Sequence, residues 1–165
     1  MESSIILTNE QIVHKIQRIA YQILESNSNE NEIVIAGING NGFVIANKIA
    51  KVLENISDVK VLLCEVKIDK KHPLEAIDTS LTKEEYQNKA LVLVDDVLNS
   101  GTTLMYSVKH FLDVPLKKFK TAVLVNRNHK KYPVKADFKG ISLSTSFHER
   151  VDVIVEGEEI KAYLK

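Results

Sequence analysis

Two adjacent carboxylates, Asp95 and Asp96, close the apolar run Leu91-Val-Leu-Val94. Val97, Leu98 and the polar segment Asn99-Ser-Gly-Thr-Thr103 follow. Paired carboxylates accept hydrogen bonds and suit the vicinal hydroxyls of a sugar. Backbone N–H groups at a helix start donate to a phosphate, and the hydroxyls of Ser100, Thr102 and Thr103 add to them. Gly101 permits close approach of the backbone. One short stretch thus offers acceptors for a ribose and donors for its 5′-phosphate.

These residues need elements to hold them. Ile33-Val-Ile-Ala36, Val59 to Val66, Ala90-Leu-Val-Leu-Val94 and Thr121-Ala-Val-Leu-Val125 read as buried strands, being short, apolar and rich in β-branched residues. Asp137 to Leu143, Val151 to Val155 and Ile160 to Leu164 are weaker strand candidates. Thr8 with Gln11 forms a capping-box signature, and Ile12, Ile16, Ile19 and Ile23 line one helix face. Phe43 to Leu53 and Thr103 to Leu112 also have helical spacing, with loops at 37–42 and 95–102. Apolar strands alternating with helices predict an α/β fold with a mainly parallel central sheet and helices on both faces. Ile68 to Asn88 shows no periodicity and reads as a long, mobile excursion.

A length of 165 residues predicts a single domain over 1–165, and 44% apolar with 27% charged residues excludes a wholly disordered or coiled-coil chain. With Lys+Arg and Asp+Glu both 22, the net charge is zero, which excludes a whole-protein basic field. Only Arg18, Arg127 and Arg150 supply planar forks for bidentate recognition. The lone Cys64 excludes an internal disulfide, and His14, His72, His110, His129 and His148 have no mutual metal-ligand spacing. No signal peptide or membrane-spanning run stands out, so a cytoplasmic location is expected, with no membrane partner.

The stretch Leu91 to Thr103 resembles the signature of the type I phosphoribosyltransferases, which bind 5-phosphoribosyl 1-pyrophosphate (PRPP): four apolar residues, two acids, then Ser/Thr-Gly-x-Thr. Within that family, Ala122 to Gly140 is similar to the pyrimidine operon attenuator proteins, which bind attenuator RNA and have uracil phosphoribosyltransferase activity. Arg127, His129, Lys130, Pro133, Lys135, Ala136 and Asp137 match their pattern, whereas Asn126 and Asn128 replace its Asp and Gly. Ser144-Thr-Ser146 and Ala36-Gly37-Ile38 also align in order.

The resemblance implies a type I phosphoribosyltransferase fold with a small hood, and a role for each matched position. Asp95 and Asp96 would hold the ribose hydroxyls, with Mg²⁺ nearby, bound mainly through substrate. Leu98, Asn99, Ser100, Gly101, Thr102 and Thr103 would bind the 5′-phosphate. Gly37, Ile38, Asn39, Gly40, Asn41 and Gly42 would form the pyrophosphate loop. Asn126 and Arg127 would meet the base, and the region after Lys139 would help form the hood. Lys70 and Lys71 would stand in for a flexible-loop arginine, although a point charge does not reproduce a bidentate fork. Two further departures are the uncharged 39–41 segment and Thr102 in place of an arginine.

The segment 109–139 carries nine basic residues against two acidic ones. In the attenuator relatives the positions of His129, Lys130 and Lys135 belong to an RNA-binding face; a solvated lysine-rich surface is the other reading. The expected partners are PRPP and a nucleobase, in a homodimer or larger oligomer. Uracil transfer is the first expectation. A weakly catalytic nucleotide sensor that binds RNA and a purine phosphoribosyltransferase are the alternatives.

Overall fold

The computed structural model describes residues 2–165. Its elements run β1 (Ser4–Leu7), α1 (Asn9–Ser26), β2 (Glu32–Ile38), α2 (Asn41–Ile56), β3 (Lys60–Lys67), β4 (Asp78–Thr79), α3 (Lys83–Tyr86), β5 (Ala90–Leu98), α4 (Thr102–Phe111), β6 (Lys118–Arg127), β7 (Phe138–Leu143), β8 (Val151–Glu156) and β9 (Glu159–Leu164). A six-stranded sheet has the order β4-β3-β2-β5-β6-β7. All its pairings are parallel except that of β4 with β3. A separate antiparallel sheet, β1-β9-β8, joins the two ends of the chain and forms the small hood.

Local rules account for the first helix. The Thr8 hydroxyl accepts from Gln11 N at 3.2 Å, and Thr8 N donates to Gln11 Oε1 at 2.9 Å. Such a cap is worth about 1 kcal/mol. Ile12, Ile16, Ile19 and Ile23 of α1 are buried with Ile45 and Ile49 of α2 on one sheet face. On the other face Leu104 and Phe111 of α4 pack with Tyr86. The central strands are buried on both sides, which is why they read as continuous apolar runs rather than alternating ones.

Four stretches differ from the sequence expectation. The excursion from Ile68 to Asn88 contains β4 and the single-turn helix α3, whose Tyr86 is fully buried edge-on to Phe111, ring centroids 5.0 Å apart. One turn is too short to show a period, although Thr82 and Glu85 form a second capping box. The expected loop over 37–42 shrinks to Asn39 and Gly40: Gly37 and Ile38 pair with Glu65 and Val66, and α2 begins at Asn41. Likewise β5 continues beyond the acids to Leu98, because Val97 and Leu98 pair with Val125 and Asn126 of a lengthened β6. β1 escaped the sequence reading altogether, since its only pairing is with β9 at the far end of the chain.

No helix among the described residues is long and apolar enough to cross a membrane.

Candidate active site

A cleft of about 250 Å³ lies beyond the carboxyl ends of the parallel strands. Lys70, Asp95, Asp96, residues 97–104 and Val151 line it. Open parallel sheets bind ligands in this position. The sequence-adjacent acids and hydroxyls therefore share one concavity, joined by a lysine from the excursion and by the start of β8.

Asp95 is almost fully buried. Its Oδ1 accepts from Asp96 N at 2.8 Å, and Lys70 Nζ lies 3.8 Å away. Burial pushes the Asp95 carboxyl well above the usual carboxylate range; the charge of Asp96 pushes the same way, and Lys70 opposes both. Asp96 is half-buried. Its Oδ1 accepts from Val97 N at 2.8 Å, and its Oδ2 from Asn41 Nδ2 at 3.3 Å. The Asn41 amide also donates to Val153 O at 2.8 Å, so the turn before α2 is tied both to the acids and to the hood.

The glycine-rich turn sits against the acids. A Cβ on Gly42 would lie 2.9 Å from Asp95 Oδ1 and 3.1 Å from Val94 O, so only glycine fits there without a shift. Asn39 Oδ1 accepts from Ile68 N at 3.3 Å, anchoring the same turn to the start of the excursion.

The 99–103 segment is built to leave donors free. Gly101 caps α4 at φ +86° with no side chain of its own; Ser100 Oγ accepts from Thr102 N at 3.3 Å, and the following first-turn N–H groups have no intrahelical acceptor. Ser100 and Thr102 hydroxyls are 2.8 Å apart. Ser100 O accepts from Lys131 N at 2.7 Å and Tyr132 N at 3.2 Å, so the segment after β6 supports the turn from outside.

Other expected residues fall elsewhere. Lys71 is exposed and absent from the cleft wall; its N donates to Asp69 Oδ1 at 2.9 Å. Asp69 and His72 are hydrogen-bonded at 3.1 Å on the same exposed turn. Asn126 is buried, with Nδ2 3.3 Å from Ser142 Oγ and Oδ1 without a partner. Arg127 is buried and bonds to Asn99, Thr145 and Glu149. His129 shares a hydrogen bond with Thr145 O at 2.8 Å and sits beside Phe147, ring centroids 6.0 Å apart. Lys130 is exposed, as is Lys135, which pairs with Asp137 at 3.5 Å. Sequence reading missed Glu149 and Val151. Glu149 meets Arg127 through its backbone carbonyl, which carries no residue-type signal.

A family model described as "Phosphoribosyl transferase domain" matches residues 2–158. "Bifunctional protein PyrR" of Clostridioides difficile strain 630 is 31% identical over 170 residues, covering 96% of each chain. The protein of the same name from Streptococcus thermophilus strain CNRZ 1066 is 36% identical over 144 residues, 85% of this chain and 83% of its own. Among solved structures, a hypoxanthine phosphoribosyltransferase of Trypanosoma cruzi superposes with a TM-score of 0.76 at 16% identity, covering 96% of this chain and 95% of that one. A hypoxanthine-guanine phosphoribosyltransferase of Bacillus anthracis gives 0.72 at 23%, covering 89% and 87%. At such identities the structural likeness speaks for the fold.

Proposed function

The chain belongs to the phosphoribosyl transferase domain family, and from that premise we propose that it transfers the phosphoribosyl group of PRPP to uracil, releasing pyrophosphate. The observation that carries the reading is the single cleft in which Asp95 and Asp96 face the uncapped start of α4. The acids would accept from the ribose 2′- and 3′-hydroxyls. Residues 98–103 would donate to the 5′-phosphate. The Gly37–Gly42 turn, held to the acids by Asn41, would receive the pyrophosphate.

Displacement at ribose C1 builds positive charge on the sugar as pyrophosphate leaves. The chain's contribution is to orient the reactants and to place fixed charge near them. Asp95 and Asp96 would supply negative charge under the ribose, and Lys70, 3.8 Å from Asp95 Oδ1, would follow the leaving group. The oxygen donors of the acid pair suit Mg²⁺, which would be held mainly by substrate oxygens. When bound, that ion would neutralise pyrophosphate charge. Backbone groups at Asn126 and Arg127 would read the base edge. Asn99 has no carboxylate to take a purine proton, which favours a pyrimidine. The relatives' name, PyrR, also supports this choice. The reading includes one domain over residues 1–165, a cytoplasmic enzyme and a homo-oligomer.

A second reading, a nucleotide-sensing regulator with slow turnover, is favoured by one observation. Lys70 is the only cation among the described residues lining the cleft. The exposed Lys130 and Lys135 would then serve RNA, in keeping with relatives called bifunctional.

The test follows pyrophosphate release with uracil, hypoxanthine, guanine and xanthine, alongside thermal shift with PRPP and Mg²⁺. A ligand at 100 times its Kd stabilises by about 2.7 kcal/mol. Release with uracil supports the transferase. Stabilisation by PRPP without release for any base supports the sensor. Absence of both stabilisation and release overturns the two readings together.

A further inference from the structure

Arg127, the last residue of β6, is 7% exposed, and its guanidinium faces two separate segments. One NH group donates to Asn99 Oδ1 at 2.8 Å, at the entrance to the 99–103 turn. On the other side, Nε donates to Thr145 Oγ1 at 3.0 Å and the second NH group to Glu149 O at 2.6 Å. The latter pair brackets a short connection between β7 and β8 whose tip, Phe147, is 90% exposed. Within that connection Glu149 Oε2 accepts from Ser146 N at 2.5 Å, and His129 Nε2 lies 2.8 Å from Thr145 O. The connection is thus closed on itself and fastened to the end of β6.

A guanidinium is a planar fork of donors with no acceptor. Its three bonds here are fixed in mutual direction, and Asn99 must present its oxygen to Arg127. The Asn99 amide NH₂ is then what remains for the cleft, whose wall Asn99 joins. Asn99, Thr145 and Glu149 therefore share one donor fork.

We infer that Arg127 is a positioning residue that couples the 5′-phosphate turn to the 145–149 connection, so that phosphate bound at residues 100–103 sets the placement of Phe147 at the tip of that connection. This rests on the reading of that turn as a phosphate site. The coupling is reciprocal: a ligand that orders the 145–149 connection tightens phosphate binding by the same factor, typically about 5- to 150-fold for such linkages.

The chain contains no tryptophan, so Phe147→Trp places a single indole reporter at the exposed tip. Ribose 5-phosphate is the probe, with binding followed independently by thermal shift. In the otherwise unaltered chain ribose 5-phosphate should change the indole emission saturably. With Arg127→Lys added, binding should persist while most of the emission change disappears. Arg127→Ala would leave three acceptors unmet and could prevent folding, so Thr145→Val serves as the second variant. It keeps the Asn99 bond, cuts the Arg127 bond on the far side together with the Thr145 Oγ1–His129 Nε2 contact of 3.2 Å, and should also uncouple the reporter. In turnover, both variants should raise the KM for the base more than the KM for PRPP, which a general loss of packing would not do selectively. An emission change of undiminished size in both variants overturns the inference. So does a reporter that stays silent in a chain that ribose 5-phosphate stabilises. If ribose 5-phosphate stabilises no version of the folded protein, the phosphate-site reading itself fails, and the inference fails with it.

Discussion

Lys70 reaches out of the excursion after β3 to place its ammonium 3.8 Å from Oδ1 of Asp95, a carboxyl whose side chain is only 5% exposed. The contact brings the excursion between β3 and β5 onto a buried acid. Asp95 is held above the ordinary carboxylate range by burial first and by Asp96 second, and Lys70 moderates that shift.

Because the folded state raises the Asp95 pKa, it binds that proton more tightly than the unfolded chain does. The resulting stabilisation is complete below the unfolded value, about 3.9, and is lost as pH rises through the folded value. At neutral pH an ionised Asp95 therefore costs stability. Asp95→Asn should melt at a higher temperature than the parent at pH 7, with the gap closing towards pH 4. Turnover should fall roughly 10- to 150-fold, the worth of a charged hydrogen bond of about 1.5–3 kcal/mol. Melting curves from pH 4 to 8 and initial rates check both parts; a gap of constant size across that range would contradict the assignment.

The two neighbouring lysines of the excursion should separate sharply. Lys70 lines the cleft, whereas Lys71 is exposed and its backbone serves a turn at Asp69. Lys70→Ala should lower kcat/KM for PRPP by about tenfold or more, the scale of one lost charged contact. Lys71→Ala should change it far less. Equal losses in the two variants would mean that the excursion adopts a different path during catalysis.

Gly42→Ala should be costly at a position with no polar side chain. The added methyl would meet Asp95 Oδ1 at 2.9 Å and Val94 O at 3.1 Å. Relieving it requires shifting α2 from β5 or displacing the buried carboxyl, and overpacking of this kind costs about 1–3 kcal/mol. For a chain of this size the melting temperature should drop by roughly 2–4 °C per kcal/mol. The KM for PRPP should rise as well. Unchanged melting and KM would show that the Gly42 turn tolerates outward movement.

The lysine-rich surface makes a separate prediction. If Lys130 and Lys135 contact RNA phosphates, affinity for attenuator-type RNA should fall with salt. Lys130→Ala or Lys135→Ala should each reduce the logarithmic salt slope by about one, without altering uracil turnover. Lys135 already pairs with Asp137, so about one is the upper bound for its substitution and Lys130 should show the full change. Binding whose slope ignores both substitutions would assign RNA to another face.

Much of this architecture is legible in the chain because its causes are local. The α1 stripe and its Thr8–Gln11 cap depend on residues within a few positions of each other. The acids and hydroxyls that line the cleft are contiguous from Asp95 to Thr103, so their joint chemistry survives without knowledge of the path. Family resemblance extends the reading to the hood, whose strands are otherwise weakly patterned, whereas the loop it implies over 37–42 is shortened to Asn39 and Gly40 by pairing of β2 with β3 and the start of α2.

Other features arise only when distant segments meet. α3 exists as a buried turn because Tyr86 finds Phe111 across the sheet face, a contact worth about 0.5–1.5 kcal/mol beyond its area. β5 runs past its acids because β6 is long enough to pair with Val97 and Leu98. Arg127 becomes a junction because β6 ends between Asn99 and the Thr145–Glu149 connection.

By itself, then, the sequence determined the central strands, the capped helix and the joint presence of acids and hydroxyls in one continuous segment, since these follow from spacing and residue type. Only the tertiary structure decided that Lys70 rather than Lys71 meets the buried acid, and that Arg127 turns inward. Both outcomes depend on where the chain returns after many residues. Burial and hydrogen-bond geometry, which act between segments rather than along them, make that choice.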